Sequence, residues 1–176
     1  LFKADEVSMY TNIRTDKALR EIGIYIHSRS RRFQNIPTDA LTEALGLIMK
    51  NNVFQFGDTY WLQLVGTAMG TPPAPTYANL TFAIHENPII KQFSDNLILY
   101  KRYIDDIIGI WRHDEDKEED ERKYAAFQTA IRSYDRLEWD FEPLTHSLDY
   151  LDIVISIRGT SIHTTLFEKV LSLYLY

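Results

Sequence analysis

Apolar residues recur along the chain at two spacings, and each spacing predicts one type of secondary structure. A period near 3.6 residues, as at Leu41, Leu45 and Ile48, is typical of a helix with one buried face. We expect Thr38 to cap that helix and Pro88 to break a later one. The helices predicted in this way span residues 15–28, 38–52, 76–88 and 124–134.

Shorter apolar runs bounded by turn residues predict strands, and Gly57-Asp58 between two of them indicates a hairpin. The predicted strands span residues 1–7, 53–56, 60–65, 97–103, 107–111, 137–143, 148–157 and 161–167. Hairpins that alternate with packed helices favour an α+β fold, with a largely antiparallel sheet and helices on one face. No linker or internal repeat interrupts the pattern, so we treat residues 1–176 as one domain.

Composition limits the class of protein. With 176 residues, 45% of them hydrophobic, the chain is long enough for one domain with a core. It has no Cys, which excludes disulfides and Cys-ligated zinc. No apolar run approaches the roughly 20 residues of a membrane helix, so we expect no membrane partner. The net charge of −6 at first argues against a nucleic-acid partner, because phosphates attract Lys and Arg.

The negative charge is concentrated in one acidic insert, residues 114–121 (DEDKEEDE). Seven of the 25 acidic residues and one of the 19 basic residues lie there, so the rest of the chain is neutral. We expect a solvated loop or a frayed helix start, with metal or basic-partner binding as the alternative. Arg29, Arg31 and Arg32 form a basic patch, which either ends a helix in solvent or contacts phosphate. The overall charge therefore does not exclude nucleic acid.

Residues 97–111 (LILYKRYIDDIIGIW) place two adjacent carboxylates, Asp105 and Asp106, at the tip of an apolar hairpin. Adjacent carboxylates repel one another, and an apolar wall raises the cost of ionising both. Asp is a common turn residue, but tight hairpins favour Asn-Gly or Asp-Gly, and this turn has no Gly. Because Mg²⁺ prefers carboxylate oxygens and would remove the repulsion, the stretch favours a metal site.

A two-metal site for phosphoryl transfer needs a further carboxylate from another strand. Asp5 and Glu6, at the end of the first predicted strand, are both candidates. Side chains alternate along a strand, so only one of the two can point at the hairpin. Spacing within the chain does not choose between them.

Four segments, in order along the chain, carry a more specific signal. They begin at Asp5 (DEVSMYTNI), Gln63 (QLVGTAMGTPPAPTYANL), Tyr103 (YIDD) and Leu148 (LDYLDIVISI). They resemble motifs A, B and C and the primer grip of a reverse transcriptase palm, and are most similar to those of Penelope-like retroelements. The segment HTTLFEKVLSLYLY, residues 163–176, resembles the stretch after the grip in these elements. A single four-residue match recurs by chance, whereas four matching segments in the same order are a specific signal.

The resemblance implies a polymerase palm whose fingers and thumb are largely absent, and an RNA-directed DNA polymerase activity in the parent chain. Asp5, Asp105 and Asp106 would be the catalytic residues and would hold two Mg²⁺ ions, or Mn²⁺, against the triphosphate. This register selects Asp5 over Glu6, which would offer its backbone carbonyl. The implied partners are an RNA template, a DNA primer, dNTP and the missing fingers and thumb.

The same motifs imply which residues contact the substrate. These are Glu6, Tyr10, Gln63, Met69, Gly70 and Tyr103. The ring of Tyr10 would collide with a ribose 2′-hydroxyl and so favour dNTP, although it could equally be a half-buried strand aromatic. Gln63 either bonds substrate or faces solvent from its strand, and Tyr103 either lies beside the primer end or packs in the core. Gly66 and Gly70 either let the backbone approach the nucleotide or only satisfy the loop.

Some features depart from the resemblance and leave other functions open. Glu6 stands where Val is common, and no convincing Lys is found for the general acid. The chain starts without Met at Leu1, so we expect a piece of a longer protein. Because a palm without fingers and thumb would hold template and primer poorly, we expect this piece to be inactive or nearly so alone. The alternatives are an RNA-dependent RNA polymerase palm, which Tyr10 disfavours, a non-catalytic nucleic-acid-binding module, and a decayed retroelement fragment.

Overall fold

A computed structural model describes residues 1–29, 31 and 36–167, which form nine strands and five helices. The elements are β1 (Phe2–Glu6), α1 (Met9–Asn12), α2 (Thr15–His27), α3 (Thr38–Lys50), β2 (Val53–Phe56), β3 (Thr59–Leu62), α4 (Ala74–Gln92), β4 (Leu97–Tyr103), β5 (Asp106–Trp111), α5 (Lys117–Arg132), β6 (Trp139–Phe141), β7 (Ser147–Tyr150), β8 (Ile153–Arg158) and β9 (Ser161–Leu166). Arg32 of the basic patch and the end of the 163–176 segment lie outside the described residues.

The strands form three sheets, and every strand pair in the described ranges is antiparallel. The main sheet has the order β4-β5-β1-β6, β2 and β3 form a hairpin, and β7, β8 and β9 form a second, three-stranded sheet. The α+β class and the antiparallel pairing predicted from the sequence are confirmed. No helix of the described part is long and apolar enough to cross a membrane.

One face of the main sheet is covered by helices, as the sequence predicted. Along β1, Phe2 and Ala4 are buried in the core, whereas Lys3 and Asp5 lie on the other face. Phe2 packs edge-on against Phe127 of α5, with the ring centroids 5.5 Å apart. Because side chains alternate along a strand, this burial of Phe2 and Ala4 turns Asp5 toward the face without helices, which we call the open face.

The second sheet covers part of the open face. Leu1, which precedes β1, and Ile108 of β5 form a small apolar cluster with Leu148 of β7. The hydroxyl of Tyr150 donates a hydrogen bond to the backbone carbonyl of Asp106 at 3.3 Å. These contacts hold the β7–β8 hairpin beside β1 and β5. A cleft remains between the hairpin and the main sheet.

Two helix predictions are wrong at their ends. Helix α4 continues through Pro88, because the buried side chains of Phe82 and Ile89 on either side hold the helix despite the lost backbone hydrogen bond. In α3, Pro37 occupies the N-cap position and Thr38 already lies in the first turn. The buried residue near its end is Met49, whereas Ile48 is exposed.

Residues 117–121 of the acidic insert form the start of α5, which agrees with the expected helix start and not with the solvated loop, and the predicted start at residue 124 is too late. The Asp116 side chain accepts hydrogen bonds from the backbone N–H groups of Glu118 and Glu119 and so caps the helix. Asp120 is buried and accepts a hydrogen bond from the Trp111 indole at 2.9 Å. The positive end of the helix dipole also stabilises acidic side chains in the first turn.

The segment predicted as one strand over residues 148–157 is a hairpin. Strands β7 and β8 are joined by a tight turn at Leu151 and Asp152, and Leu151 has a φ of 53°. The sequence has no Gly or Pro at this turn, so composition did not signal it. The register pairs Tyr150 with Ile153.

Candidate active site

The turn between β4 and β5 contains only Ile104 and Asp105, because Tyr103 already pairs with Asp106. Ile104 has a φ of 54°, in the left-handed region that β-branched residues rarely adopt. This conformation closes the hairpin without Gly. Asp105 therefore lies in the turn itself, whereas Asp106 is the first residue of β5 and not part of the tip.

Three carboxylates lie side by side on the open face. Asp5 of β1 is directly opposite Asp106 of β5 and directly opposite Asp140 of β6. Directly opposite residues of an antiparallel pair share a face, with Cβ atoms about 5 Å apart. The backbone N–H of Glu6 donates to the carbonyl of Asp105 at 3.0 Å, which brings the turn beside the end of β1. The structure thus places Asp5, Asp105 and Asp106 near the same end of β1, and it places Asp140, which the sequence did not predict, beside Asp5.

The electrostatics of this row favour a cation. Although Asp5 is exposed by area, partial desolvation raises the pKa of its carboxyl, and the negative charges of Asp105 and Asp140 raise this pKa further. A hydrogen bond from the backbone of Glu6 opposes the shift. Because the neighbouring negative charges disfavour the ionised form of Asp5, a cation bound here would stabilise that form.

The two carboxyl groups at the end of β1 point in opposite directions. Glu6 is buried on the helix-covered side, where the backbone N–H of Glu138 donates to its Oε1 at 3.3 Å. Its Oε2 has no hydrogen-bond partner among the described residues. Burial raises the pKa of Glu6 to about 7. Asp5 is therefore the residue that faces the β4–β5 turn on the open side, and the role of the Glu6 carbonyl stays a prediction.

Metal binding stays a prediction. Within residues 1–29, 31 and 36–167, no three Asp, Glu or His side chains converge closely enough to hold a metal ion by themselves. Mg²⁺ is commonly held by one or two carboxylates together with substrate phosphates. An ion at Asp5, Asp105 and Asp106 would therefore need further ligands, such as substrate phosphates.

The residues predicted to contact the sugar and primer lie around the turn. Tyr10 belongs to α1, so its expected place in a strand is wrong, although it is half-buried as expected. Burial raises the pKa of its hydroxyl, and the nearby Asp105 and Tyr103 raise it further. Tyr103 is 59% exposed, which excludes packing in the core as its role.

The loop of motif B packs against α1 at Gly66. A Cβ at Gly66 would lie 2.6 Å from the Tyr10 carbonyl oxygen and 2.9 Å from Thr11 Cα, and its φ is 84°. Its N–H donates to the carbonyl of Ile13 at 3.1 Å. Gly66 is thus required by loop packing, which was one of its two predicted roles.

Gly70 differs from Gly66 because its surroundings are open. Apart from Gly70 itself and its two chain neighbours, no atom of the described residues lies within 4 Å of its ideal Cβ position, and the neighbouring Met69 is exposed. Gln63 lies beyond β3, which ends at Leu62, so its placement in a strand is wrong. Its side-chain N–H donates to the carbonyl of Val65 at 3.0 Å. Contacts of Gln63, Met69 and Gly70 with substrate stay predictions.

A cleft of about 440 Å³ opens beside the carboxylate row. Main-sheet residues and the β7–β8 hairpin line it, including Asp5, Asp106, Asp140, Tyr150, Leu151 and Asp152. Lys3 lies in the same cleft, where its ammonium group contacts Glu142 at 3.0 Å and Asp149 at 3.1 Å. The lining is mostly acidic, which favours the binding of cations and of ligands that are bound to those cations.

The basic patch is only partly described. The guanidinium of Arg29 lies over the ring of Tyr25, 3.7 Å from its centroid. Arg31 is exposed. Phosphate contact at this patch stays a prediction.

A buried ion pair that the sequence did not predict lies behind the turn, between Arg102 of β4 and Glu86 of α4. A signal existed, because Glu86 interrupts the apolar face of α4 four residues after Phe82. Arg102 likewise stands on the inward side of an apolar strand. A lone acid and a lone base at inward positions indicate a buried pair, although local patterns do not reveal which residues meet.

No known protein family matches the chain in sequence, and no curated protein matches it closely. The chain shares its fold with a solved structure. That structure is apo telomerase from Candida tropicalis, truncated from its C-terminal domain, with a TM-score of 0.62 and 12% identity. The match covers 93% of this chain and 35% of the telomerase chain. The likeness is therefore one of fold, and this chain spans about a third of the telomerase structure.

Proposed function

We propose that this chain is the palm of an RNA-directed DNA polymerase, which transfers a nucleotide from dNTP to a primer 3′-hydroxyl. One observation carries the proposal: Asp5 and Asp106 stand opposite each other on the open face, and Asp105 lies in the adjoining turn. The fold that the chain shares with a telomerase structure and the four ordered motifs support it. The content of those motifs favours a retroelement enzyme of the Penelope-like kind.

Catalysis in this proposal consists mostly of positioning and charge neutralisation. Mg²⁺, or Mn²⁺, held by Asp5, Asp105 and Asp106 would neutralise the phosphates and favour loss of the proton from the primer hydroxyl. The two-residue turn fixes Asp105 against the end of β1, and the β1–β5 register fixes Asp5 against Asp106. Tyr10, half-buried near Asp105, would limit the room for a ribose 2′-hydroxyl.

The template and primer need more surface than this chain provides. The open face is acidic at the site, so basic surfaces that hold an RNA template and a DNA primer would come from fingers and thumb. The match to only 35% of the telomerase chain supports this division. We expect the 176-residue chain alone to extend a primer weakly or not at all.

The test is to replace Asp5 or Asp106 by Asn in the polymerase of which this chain would be the palm. We expect DNA synthesis with Mg²⁺ to fall at least about a hundredfold, because each carboxylate neutralises charge at the transition state. Asp58→Asn, in the exposed β2–β3 turn, is the matched control and should keep activity. Near-normal synthesis by Asp5→Asn or Asp106→Asn would disprove the metal assignment. Preference for NTP over dNTP would instead indicate an RNA polymerase palm.

A further inference from the structure

Arg102 places a full positive charge inside the protein, behind the β4–β5 turn. Its side chain is 5% exposed, and that of its partner Glu86 is 9% exposed. The guanidinium carbon lies 5.1 Å from the centroid of the Phe82 ring. A buried charge is costly unless it is paired and fully hydrogen-bonded, so each of its contacts matters.

All five guanidinium N–H groups have acceptors. Nε and Nη2 bind the two carboxylate oxygens of Glu86, each at 2.8 Å. Nη1 and Nη2 bind Asn79, at its side-chain oxygen (2.9 Å) and its backbone carbonyl (3.0 Å) respectively. The remaining bond runs from Nη1 to the backbone carbonyl of Ile104, at 2.6 Å. Tyr100 also donates to Glu86, at 2.7 Å, which fixes the carboxylate in place.

The bond to Ile104 ties the network to the turn. Ile104 holds the unfavourable positive φ, and the next residue is Asp105. A strained turn persists only where its surroundings fix it. Because Glu86 and Asn79 both belong to α4, the network fixes the position of the turn relative to that helix.

We infer that Arg102, held by Glu86 and Asn79, is a positioning residue that fixes the Ile104–Asp105 turn and with it the Asp105 carboxylate. Its consequence for catalysis rests on the proposed function, whereas its effect on the turn does not. A buried ion pair contributes little to stability compared with apolar side chains of the same volume. The geometry of the turn is therefore the expected reason for this pair.

The test is amide hydrogen exchange, followed residue by residue by NMR in the 176-residue chain. The Glu6 N–H reports on the turn, because its acceptor is the carbonyl of Asp105 at 3.0 Å. The Val7 N–H is the internal control, because it donates to the carbonyl of Glu138, next to β6, at 2.9 Å. Arg102→Lys keeps the charge but has only three N–H donors, so it loses at least two of the five bonds. It should speed exchange at Glu6 at least about tenfold and leave Val7 unchanged.

Two further variants separate positioning from stability. Arg102→Met/Glu86→Gln removes both charges, keeps an acceptor for Tyr100 and leaves no lone buried ion, so it should fold even if Arg102→Lys does not. It should speed exchange at Glu6 in the same selective way. Lys91→Gln removes an exposed cation from the same helix and should change neither amide. Unchanged exchange at Glu6, or equal acceleration at Glu6 and Val7, would overturn the inference.

The catalytic consequence needs the polymerase of which this chain would be the palm. We expect Arg102→Lys to lower kcat about tenfold, with the KM for dNTP nearly unchanged, because the loss acts on carboxylate position and not on nucleotide binding. An active polymerase whose kcat is unaffected would overturn this part. A wild-type polymerase without DNA synthesis would instead reject the proposed function, and the exchange result would stand.

Discussion

Two hairpins of this chain close with nearly the same turn. The β4–β5 hairpin has Tyr103-Ile104-Asp105 and the β7–β8 hairpin has Tyr150-Leu151-Asp152. In each, the aliphatic residue after Tyr takes a positive φ, 54° at Ile104 and 53° at Leu151. Two similar short sequences thus produce two-residue turns with the same positive φ at the first turn residue.

The surroundings of the two turns differ. The first turn is bonded to the buried Arg102 at Ile104 and to the Glu6 N–H at Asp105. At the second turn Leu151 is 43% exposed, and the Asp152 carbonyl accepts a hydrogen bond from the N–H of Phe167 at 2.9 Å. The Tyr-aliphatic-Asp sequence therefore does not by itself determine the surroundings of the turn. The neighbouring strand, with Asp5 opposite Asp106, distinguishes the first hairpin from the second.

The largest expected difference is in activity. Asp105→Asn should lower DNA synthesis by the polymerase at least about a hundredfold, because Asp105 would hold metal. Asp152→Asn makes the same change at the equivalent position of the second turn and should cost less than about tenfold. Primer extension at saturating Mg²⁺ measures both. Equal losses in the two variants would mean that the turns do not differ in function.

A smaller difference concerns pH, because the first turn lies beside the buried Glu6. Burial raises the pKa of Glu6 from 4.5 to about 7, so the folded state retains a proton that the unfolded state has already lost. The free energy of unfolding should therefore fall as the pH rises from about 4.5 to about 7, by about 1–3 kcal/mol.

Urea unfolding of the chain at several pH values, without divalent ions, measures this dependence. Glu6→Gln is neutral at every pH and should remove this fall. A wild-type curve that is parallel to the Glu6→Gln curve would contradict the pKa direction.

The smallest difference concerns stability at the two positive-φ residues. Glycine relieves the left-handed strain at either turn, but Ile104 also packs against the main core and Leu151 is partly exposed. Ile104→Gly should therefore lower the free energy of unfolding by about 1–2 kcal/mol, because the lost packing outweighs the relieved strain. Leu151→Gly should change it by less than about 0.5 kcal/mol. Chemical denaturation of both variants gives the comparison, and a reversed order would show that strain outweighs packing at Ile104.

The sequence predicted the features that local patterns determine. The hairpin around Asp105, the strand that carries Asp5 and the buried face of α5 with Phe127 and Ile131 all follow from apolar spacing. Errors arose where tertiary contacts outweighed local preference. Helix α4 passes through Pro88, and the acidic insert is ordered by a cap and a buried Asp120.

Contacts between residues from distant parts of the chain could not be predicted from the sequence. Asp140 alternates correctly with Trp139 and Phe141 in a strand, but only the β1–β6 register places it beside Asp5. The Arg102–Glu86 pair depends in the same way on how β4 packs against α4. The resemblance to the motifs selected Asp5 over Glu6 as the predicted metal ligand. The alternation of side chains along β1 gives the physical reason.

The contact between Gly66 and α1 has a consequence for how this site can evolve. The Gly66 backbone rests against Tyr10, and the Thr67 N–H binds the Tyr10 carbonyl. The loop that carries Gly70 is therefore in direct contact with Tyr10, the residue proposed to select the sugar. A substitution that shifts either partner displaces the other, so mutations at the two places should show strong epistasis. Sugar selectivity and the fit of the loop would then change together and not one at a time.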